Sequence, residues 1–121
     1  MKIVKLSRII EQLNLDIRNA QDQVHREVKR GYTSDLLSDV LANGEEGDVW
    51  ITLQIHPNIV AIAGMKGLSG IVLINGRQPQ EETIARAREE NIPIMVSEMT
   101  AFEFSGRLYA MLSGTKNDEG I

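Results

Sequence analysis

Few side chains in this sequence are spaced for metal or nucleophilic chemistry. The two histidines, His25 and His56, show neither a His-x-x-x-His nor a Glu-x-x-His spacing, and the absence of cysteine excludes thiolate metal sites and thiol nucleophiles. The sequence therefore predicts no metal site and no cofactor. His56 directly precedes Pro57 and is expected to cap or contact the start of a helix, whereas His25 is expected on an exposed strand face.

Carboxylates, serines and glycines provide no catalytic pattern either. Asp35 and Asp39 are four residues apart and are predicted on one helix face, where they could bind a cation; solvation is the favoured alternative, because such charges usually face water. No Gly-x-Ser-x-Gly elbow and no Gly-x-x-x-x-Gly-Lys-Ser/Thr loop occurs. Gly64, Gly67 and Gly70 follow a predicted helix and precede a strand, so they are interpreted as turn glycines. We expect no catalytic residues and no enzymatic activity.

One group of polar residues keeps a binding role, because its members follow three predicted strands of a parallel sheet. Ligands of such sheets collect where loops and helix N-termini converge at the carboxyl ends of the strands. A small anion or phosphorylated metabolite is the expected ligand, with Arg77 as its cation and Gly76 allowing close approach of the backbone. The alternative is that Asn75-Gly76 is only a tight turn and Thr100 only a helix cap. The candidate residues are Gln54, His56 and Asn58, then Asn75, Gly76 and Arg77, and finally Ser97 and Thr100.

Three short apolar runs, at 49–54, 71–74 and 94–96, lack polar alternation and predict strands that are covered on both faces. Helices are predicted between and around these strands, at 34–43, 57–65 and 79–91, with a last helix that begins at Thr100. The sequence therefore predicts an α/β three-layer sandwich with a small, mainly parallel sheet flanked by helices.

The ends of these helices have recognisable signals. Asn43-Gly44 predicts the end of the first helix, and Pro79 is expected at the first position of the third. Thr100 and Glu103 form a capping-box pattern at the start of the last helix, which then presents apolar residues to the core.

The N-terminal region, residues 1–33, is expected to add a helix and a strand to an α/β core at 34–112, so that 1–112 is one domain. Ser7 is predicted to cap the helix, and residues 23–29 are predicted to form a strand that joins an edge of the sheet or forms a separate ribbon. The polar residues 113–121 are expected to be a mobile tail.

Composition and charge exclude several classes of partner. The net charge is −4 and no block of lysines or arginines occurs, which argues against binding to nucleic acid or to an anionic membrane surface. No apolar run approaches the roughly 20 residues that span a bilayer, and the N-terminus has no secretion-signal pattern. We therefore expect a cytoplasmic protein.

Four stretches occur in a characteristic order: GYTSDLLSDV at 31–40, DVWITLQIHPNIVA at 48–61, GIVLING at 70–76, and the strand start Ile92-Pro93-Ile94 followed by the helix start at 100–106. In this succession residues 31–112 resemble the DRTGG family. That module is found in some phosphotransacetylases and CBS-containing pyrophosphatases, and it is related in pattern to the N-terminal domain of HPr kinase/phosphorylase. The Asp-Arg pair of the family's motif falls on Ile55 and His56, and its Thr-Gly-Gly falls on residues 74–76, so the motif is largely absent.

The resemblance implies a stand-alone, non-catalytic regulatory or assembly module that could sense a small ligand, with a possible protein partner. The rival interpretation is a small-anion-binding or metabolite-binding protein with weak enzymatic activity, and a purely structural subunit is a third. A homodimer is also predicted, because the apolar helix at 57–65 and the weakly patterned N-terminal strand would be better buried between two copies.

Overall fold

Strands and helices alternate along most of the chain, which a computed structural model describes for residues 1–114. The strands are β1 (Val4–Lys5), β2 (Asp16–Ile17), β3 (Glu27–Val28), β4 (Arg30–Thr33), β5 (Asp48–Thr52), β6 (Gly70–Leu73) and β7 (Ile94–Val96). The helices are α1 (Leu6–Gln12), α2 (Leu37–Asn43), α3 (Asn58–Lys66), α4 (Glu81–Glu90) and α5 (Ala101–Ser113), and a short 3₁₀ helix spans Gln21–Gln23.

The main sheet has five strands in the order β2-β7-β6-β5-β4. Strands β4, β5, β6 and β7 are parallel, whereas β2 pairs with β7 in the antiparallel direction, with Ile17 opposite Met95. Strands β1 and β3 form a separate antiparallel ribbon, with Val4 opposite Val28. The mainly parallel sheet confirms the predicted fold class, and the N-terminal region supplies both an edge of that sheet and a ribbon.

Both faces of the sheet are covered, which is why its central strands show no polar alternation. In β5, Val49 and Ile51 belong to a core that includes apolar residues of α1 and α5, whereas Trp50 belongs to a second core with residues of α2, α3 and α4. Trp50 is fully buried and its indole N–H donates to the carbonyl of Ser34 at 2.8 Å. This arrangement of helices, sheet and helices is the predicted three-layer sandwich.

Helix α3 has a buried side and an exposed side. Its inner side, which includes Ile59 and Val60, is buried within the fold, but Ala61 and Gly64 face solvent and Met65 is 67% exposed. The outer side of α3 can face solvent at little cost because two of the residues there, Ala61 and Gly64, are small. The fold of one copy therefore buries α3 on one side only, and burial of its outer side by another copy stays a prediction.

The N-terminal region also departs from expectation. Lys5, not Ser7, is the N-cap of α1, and the N–H of Ser7 donates to the carbonyl of Val24. The predicted strand at 23–29 is wrong over most of its length, because His25 lies in an exposed turn and only Glu27–Val28 is extended in that range. Strands this short are defined by their pairing partners, which local patterning does not show.

Other boundaries are shifted by a few residues. Pro79 precedes α4, whose N-cap is Gln80, and Asp35 precedes α2, so Asp35 and Asp39 do not share a helix face. Gly64 is helical and Gly70 begins β6, so neither is a turn glycine.

Two predicted helix boundaries and one predicted turn glycine are correct. Helix α2 ends at Asn43, Gly67 ends α3 in the left-handed conformation, and Thr100 caps α5. In the predicted tail, Ser113 is still helical and Gly114 is the C-cap of α5, whereas residues 115–121 lie outside the described residues. Among residues 1–114 no helix is both long and apolar enough to cross a membrane.

Candidate functional site

The predicted ligand residues lie on three loops that follow neighbouring strands. The loops after β5, β6 and β7 all start at the carboxyl end of a parallel strand, and these three strands are adjacent in the sheet. We call the eight predicted residues on these loops the C-terminal rim; they are Gln54, His56, Asn58, Asn75, Gly76, Arg77, Ser97 and Thr100.

Backbone hydrogen bonds hold the three loops side by side. The N–H groups of Asn75 and Gly76 donate to the carbonyls of Met99 and Ser97, each at 2.8 Å. On the other side, the N–H of Ile74 donates to the carbonyl of Thr52 at 3.2 Å. The fold therefore brings the predicted residues to one edge of the sheet, and it also uses backbone donors that an anion would need.

The first loop is fixed by its own side chains. The amide of Gln54 donates to the carbonyl of Asp35 at 2.9 Å, and the carboxylate of Asp35 accepts from the N–H of Leu53 at 2.7 Å and from the hydroxyl of Thr52 at 2.8 Å. His56 accepts at Nδ1 from the N–H of Asn58 at 3.1 Å, as predicted for a helix start. Because Nδ1 accepts, the neutral ring carries its hydrogen on Nε2, and the exposed side chain offers that donor to solvent.

The second loop is a tight turn. Asn75 and Gly76 both have positive φ, of 58° and 65°, and the N–H of Arg77 donates to the carbonyl of Ile74 at 3.1 Å. Positive φ at both central positions defines a type I′ turn, which Asn-Gly pairs favour. The predicted turn is present, and whether its residues also bind a ligand stays a prediction.

The hydroxyls of the third loop are occupied within the fold. Ser97 is buried and its Oγ accepts from the N–H of Met99 at 3.1 Å. Thr100 accepts from the N–H of Glu103 at 3.2 Å, which is the predicted N-terminal cap of α5. Both side chains therefore order the loop by accepting a backbone hydrogen bond.

The charges on the rim are mixed. Arg77 is exposed and makes no ion pair with any of residues 1–114. Glu98, which the sequence did not single out, places both carboxylate oxygens 2.9 Å from the position that a Cβ on residue 76 would occupy. A side chain at residue 76 would have to push this carboxylate aside, and the negative charge beside the turn opposes the binding of an anion.

A basic cleft lies at the other end of the sheet, at the amino ends of strands β5 and β6. It has a volume of about 490 Å³, and Lys5, Arg26 and Lys29 line it together with the carboxylates Glu27 and Glu46. The guanidinium of Arg26 already donates to the carbonyl of Asn91 at 2.7 Å, and burial lowers its pKa more than the nearby Asp22 raises it. The sequence did not predict this cleft, because its residues are far apart along the chain.

A buried ion pair anchors the outer strand of the sheet. The carboxylate of Asp48 is 1% exposed and accepts from Nε of Arg30 at 2.9 Å and from Nη2 at 2.7 Å. The N–H of Glu45 adds a third hydrogen bond to Asp48, at 2.8 Å, and the guanidinium lies 5.4 Å from the ring centre of Tyr32. The hydrogen bond to Asp48 is the main reason that the pKa of Arg30 is raised.

Next to this ion pair, Tyr32 and Asp39 form a polar contact between β4 and α2. The hydroxyl of Tyr32 donates to Asp39 at 2.8 Å, which raises the pKa of the tyrosine. Hydrogen bonds from Ser34, Asn43 and Tyr32, in that order, lower the pKa of Asp39. The sequence left cation binding or solvation open for Asp39. In the structure its carboxylate accepts hydrogen bonds from Tyr32 and Asn43 and so links β4 to α2.

The sheet order, with four parallel strands and the short antiparallel strand β2 at one side, describes a small α/β module. A solved structure with a similar fold is that of the CBS and DRTGG domains of the regulatory region of Clostridium perfringens pyrophosphatase, complexed with its activator diadenosine tetraphosphate. The two share 18% sequence identity with a TM-score of 0.69, over 95% of this chain and 49% of that one. The chain thus spans about half the length of the matched structure, and the predicted resemblance in fold is confirmed. No family model and no curated protein matches the sequence.

Proposed function

We propose that the chain is a non-catalytic regulatory or assembly module that forms a homodimer and senses a small anionic ligand. The observation that supports this proposal is the similarity in fold to a regulatory region that was crystallised with a nucleotide activator. Fold alone does not define function, so the proposal depends on what the site of this chain binds.

The C-terminal rim is the proposed ligand site. Arg77 is an exposed guanidinium that makes no ion pair with any of residues 1–114, and it can contact two oxygens of a phosphate at once. The Nε2 donor of His56 faces solvent on the neighbouring loop, and helices α3, α4 and α5 all begin at this edge. Their first N–H groups add a weaker attraction for negative charge.

A thermal-shift screen tests for a ligand, with diadenosine polyphosphates, mononucleotides, acyl phosphates and sugar phosphates as the compounds. A ligand at about 100 times its dissociation constant should add about 2.7 kcal/mol of stability. Should no compound raise the melting temperature, the sensing role is wrong and a module that only assembles remains.

Calorimetry on four variants then tests the location. Arg77→Ala should weaken binding at least tenfold, which is about 1.4 kcal/mol, whereas Arg86→Ala, an exposed arginine midway along α4, should leave it unchanged. Glu98→Gln should strengthen binding, because it removes the carboxylate beside the turn while keeping its size. If Lys29→Ala reduces affinity and Arg77→Ala does not, the ligand binds in the basic cleft. The rim residues then serve only to form the turn and the helix cap.

Light scattering tests the homodimer. The proposal expects a mass near twice the chain's 13.5 kDa at high micromolar concentration, with dissociation on dilution. A constant mass of 13.5 kDa over that range would refute it.

A further inference from the structure

Helix α5 carries a stripe of largely exposed residues beside the outer strand β4. Phe102, Ser105, Gly106 and Tyr109 are spaced i, i+3, i+4 and i+7, so they lie along one side of the helix. Phe102 is 91% exposed and Tyr109 is 60% exposed. Large apolar side chains this exposed, in one row, are typical of an interaction surface.

The stripe runs beside an apolar cavity between α5 and the outer strand β4. The cavity has a volume of about 340 Å³, and Gly31, Ile51, Leu108 and Tyr109 are among its lining residues. The hydroxyls of Thr33 and Ser105 share a hydrogen bond of 2.7 Å that separates this cavity from a second hollow beside Phe102 and Gly106. The surface therefore offers a projecting aromatic ring, that of Phe102, and an apolar cavity that could receive such a ring.

The stripe is complementary to itself under twofold symmetry. We propose that a second copy of this chain packs its α5 antiparallel against the first, about an axis that passes between Ser105 and Gly106. Phe102 and Tyr109 lie at equal distances on either side of that axis, so Phe102 of one copy faces Tyr109 of the other and enters the cavity beside it. A twofold interface repeats this contact on both sides.

The residues at the crossing and around it suit the same arrangement. Gly106 has open space where a side chain would stand, and Ser105 is small, so two helices can approach closely at that point. Glu103 and Arg107 form an ion pair of 3.5 Å within the helix. In the antiparallel pair, Glu103 of one copy lies opposite residue 108 of the other. This position is one residue from Arg107, or roughly 1.5 Å along the helix axis. The charges are therefore complementary between copies.

The aromatic side chains of the stripe supply about half of the area that a specific dimer interface needs. At roughly 150–250 Å² for a whole ring, two Phe102 that are 91% exposed and two Tyr109 that are 60% exposed can together bury about 450–750 Å². A specific interface needs about 1,200 Å², and Met1, which lines the cavity and is 67% exposed, extends the apolar surface. This inference rests on the proposed homodimer and replaces α3, the helix favoured by the sequence, with α5 as its surface.

Matched variants on the two helices test the choice of surface. Phe102→Ala should weaken the dimer at least 100-fold in sedimentation equilibrium, because each dimer loses two buried rings. Met65→Ala, an apolar side chain on α3 that is 67% exposed, should leave the dimer unchanged. Circular dichroism and thermal unfolding of each variant verify that the monomer still folds, as expected for a side chain that contacts solvent.

Cross-linking supplies a second measurement that does not depend on affinity. The chain has no cysteine, so Gly106→Cys places a single thiol beside the proposed axis, and Gly64→Cys places one on the exposed side of α3. Mild oxidation should give a disulfide-linked dimer with Gly106→Cys and none with Gly64→Cys.

The outcomes separate the surface from the homodimer itself. A wild-type dimer that Phe102→Ala does not weaken, or that links through Gly64→Cys, overturns the α5 surface while the homodimer stands. A wild-type chain that stays monomeric in light scattering overturns both.

Discussion

The ion pair between Arg30 and Asp48 should be a main support of the outer strand β4. Replacing Arg30 with Met keeps the aliphatic stem but removes both hydrogen bonds to Asp48 and a third, of 3.1 Å, from Nη2 to the carbonyl of Asn43. The carboxylate of Asp48 then stays buried with the N–H of Glu45 as its remaining donor. An uncompensated buried charge of this kind is strongly destabilising.

The expected cost is about 3 kcal/mol in the free energy of unfolding. Removing one partner of a buried pair costs roughly 3–5 kcal/mol, and the lower end applies here because the Arg30 side chain is 36% exposed, so that water reaches the site. Asp48→Asn should cost less, about 1–2 kcal/mol, because the guanidinium it leaves behind can be hydrated. In the double variant the two effects should be less than additive by at least about 1 kcal/mol.

Urea unfolding followed by the fluorescence of Trp50 measures these values, since Trp50 is the only tryptophan and is fully buried on the neighbouring strand. A loss of about 3 kcal/mol corresponds to a melting temperature lower by about 12 °C, at roughly 4 °C per kcal/mol. The reasoning is refuted if Arg30→Met costs under about 1 kcal/mol, or if the two substitutions are additive to within about 0.5 kcal/mol.

Two further predictions concern Asn19, which the sequence did not single out, and Asp39, for which it left cation binding or solvation open. Asn19→Ala should cost about 2–3 kcal/mol in a urea titration, because buried Asn19 donates to the carbonyl of Ile92 at 2.9 Å and accepts from the N–H of Ile94 at 2.8 Å; a cost below about 1 kcal/mol would contradict this. Asp39 should stabilise the fold at neutral pH and lose that effect in acid. Its folded-state pKa is lowered, so the stability is present above the unfolded value of about 3.9 and is lost as the pH falls through the folded-state value. The urea midpoints of the wild type and Asp39→Asn should therefore converge below about pH 4, and a difference that does not change down to pH 2.5 would exclude this linkage.

The central elements could be predicted from the sequence because their signals are local. Strands buried on both faces require consecutive apolar residues, and β5, β6 and β7 have them. The cap of α5 needs only Thr100 and the N–H of Glu103, three residues later. Where a structural requirement lies within a few residues, one sequence is enough to find it.

The remaining features depend on contacts between distant residues. Asn19 is 75 residues from Ile94, and the Arg30–Asp48 pair joins two strands across a helix. Glu98 reaches the turn at Gly76 only because β6 and β7 are neighbours in the sheet. The candidate site shows the same dependence on distant contacts. The sequence predicts that the three loops meet at one end of the sheet, but it does not predict that Glu98 lies beside the turn at Gly76.

The two proposals meet on helix α5. Thr100 belongs to the rim and caps this helix, and Phe102, two residues later, is the proposed anchor of the dimer. A ligand that orders the cap would therefore order the first turn that carries Phe102. By thermodynamic linkage, any effect of ligand on the dimerisation constant must equal the effect of dimerisation on ligand affinity. Such coupling is what separates a regulatory module from a subunit that only assembles, and the short path from Thr100 to Phe102 is the physical basis for expecting it.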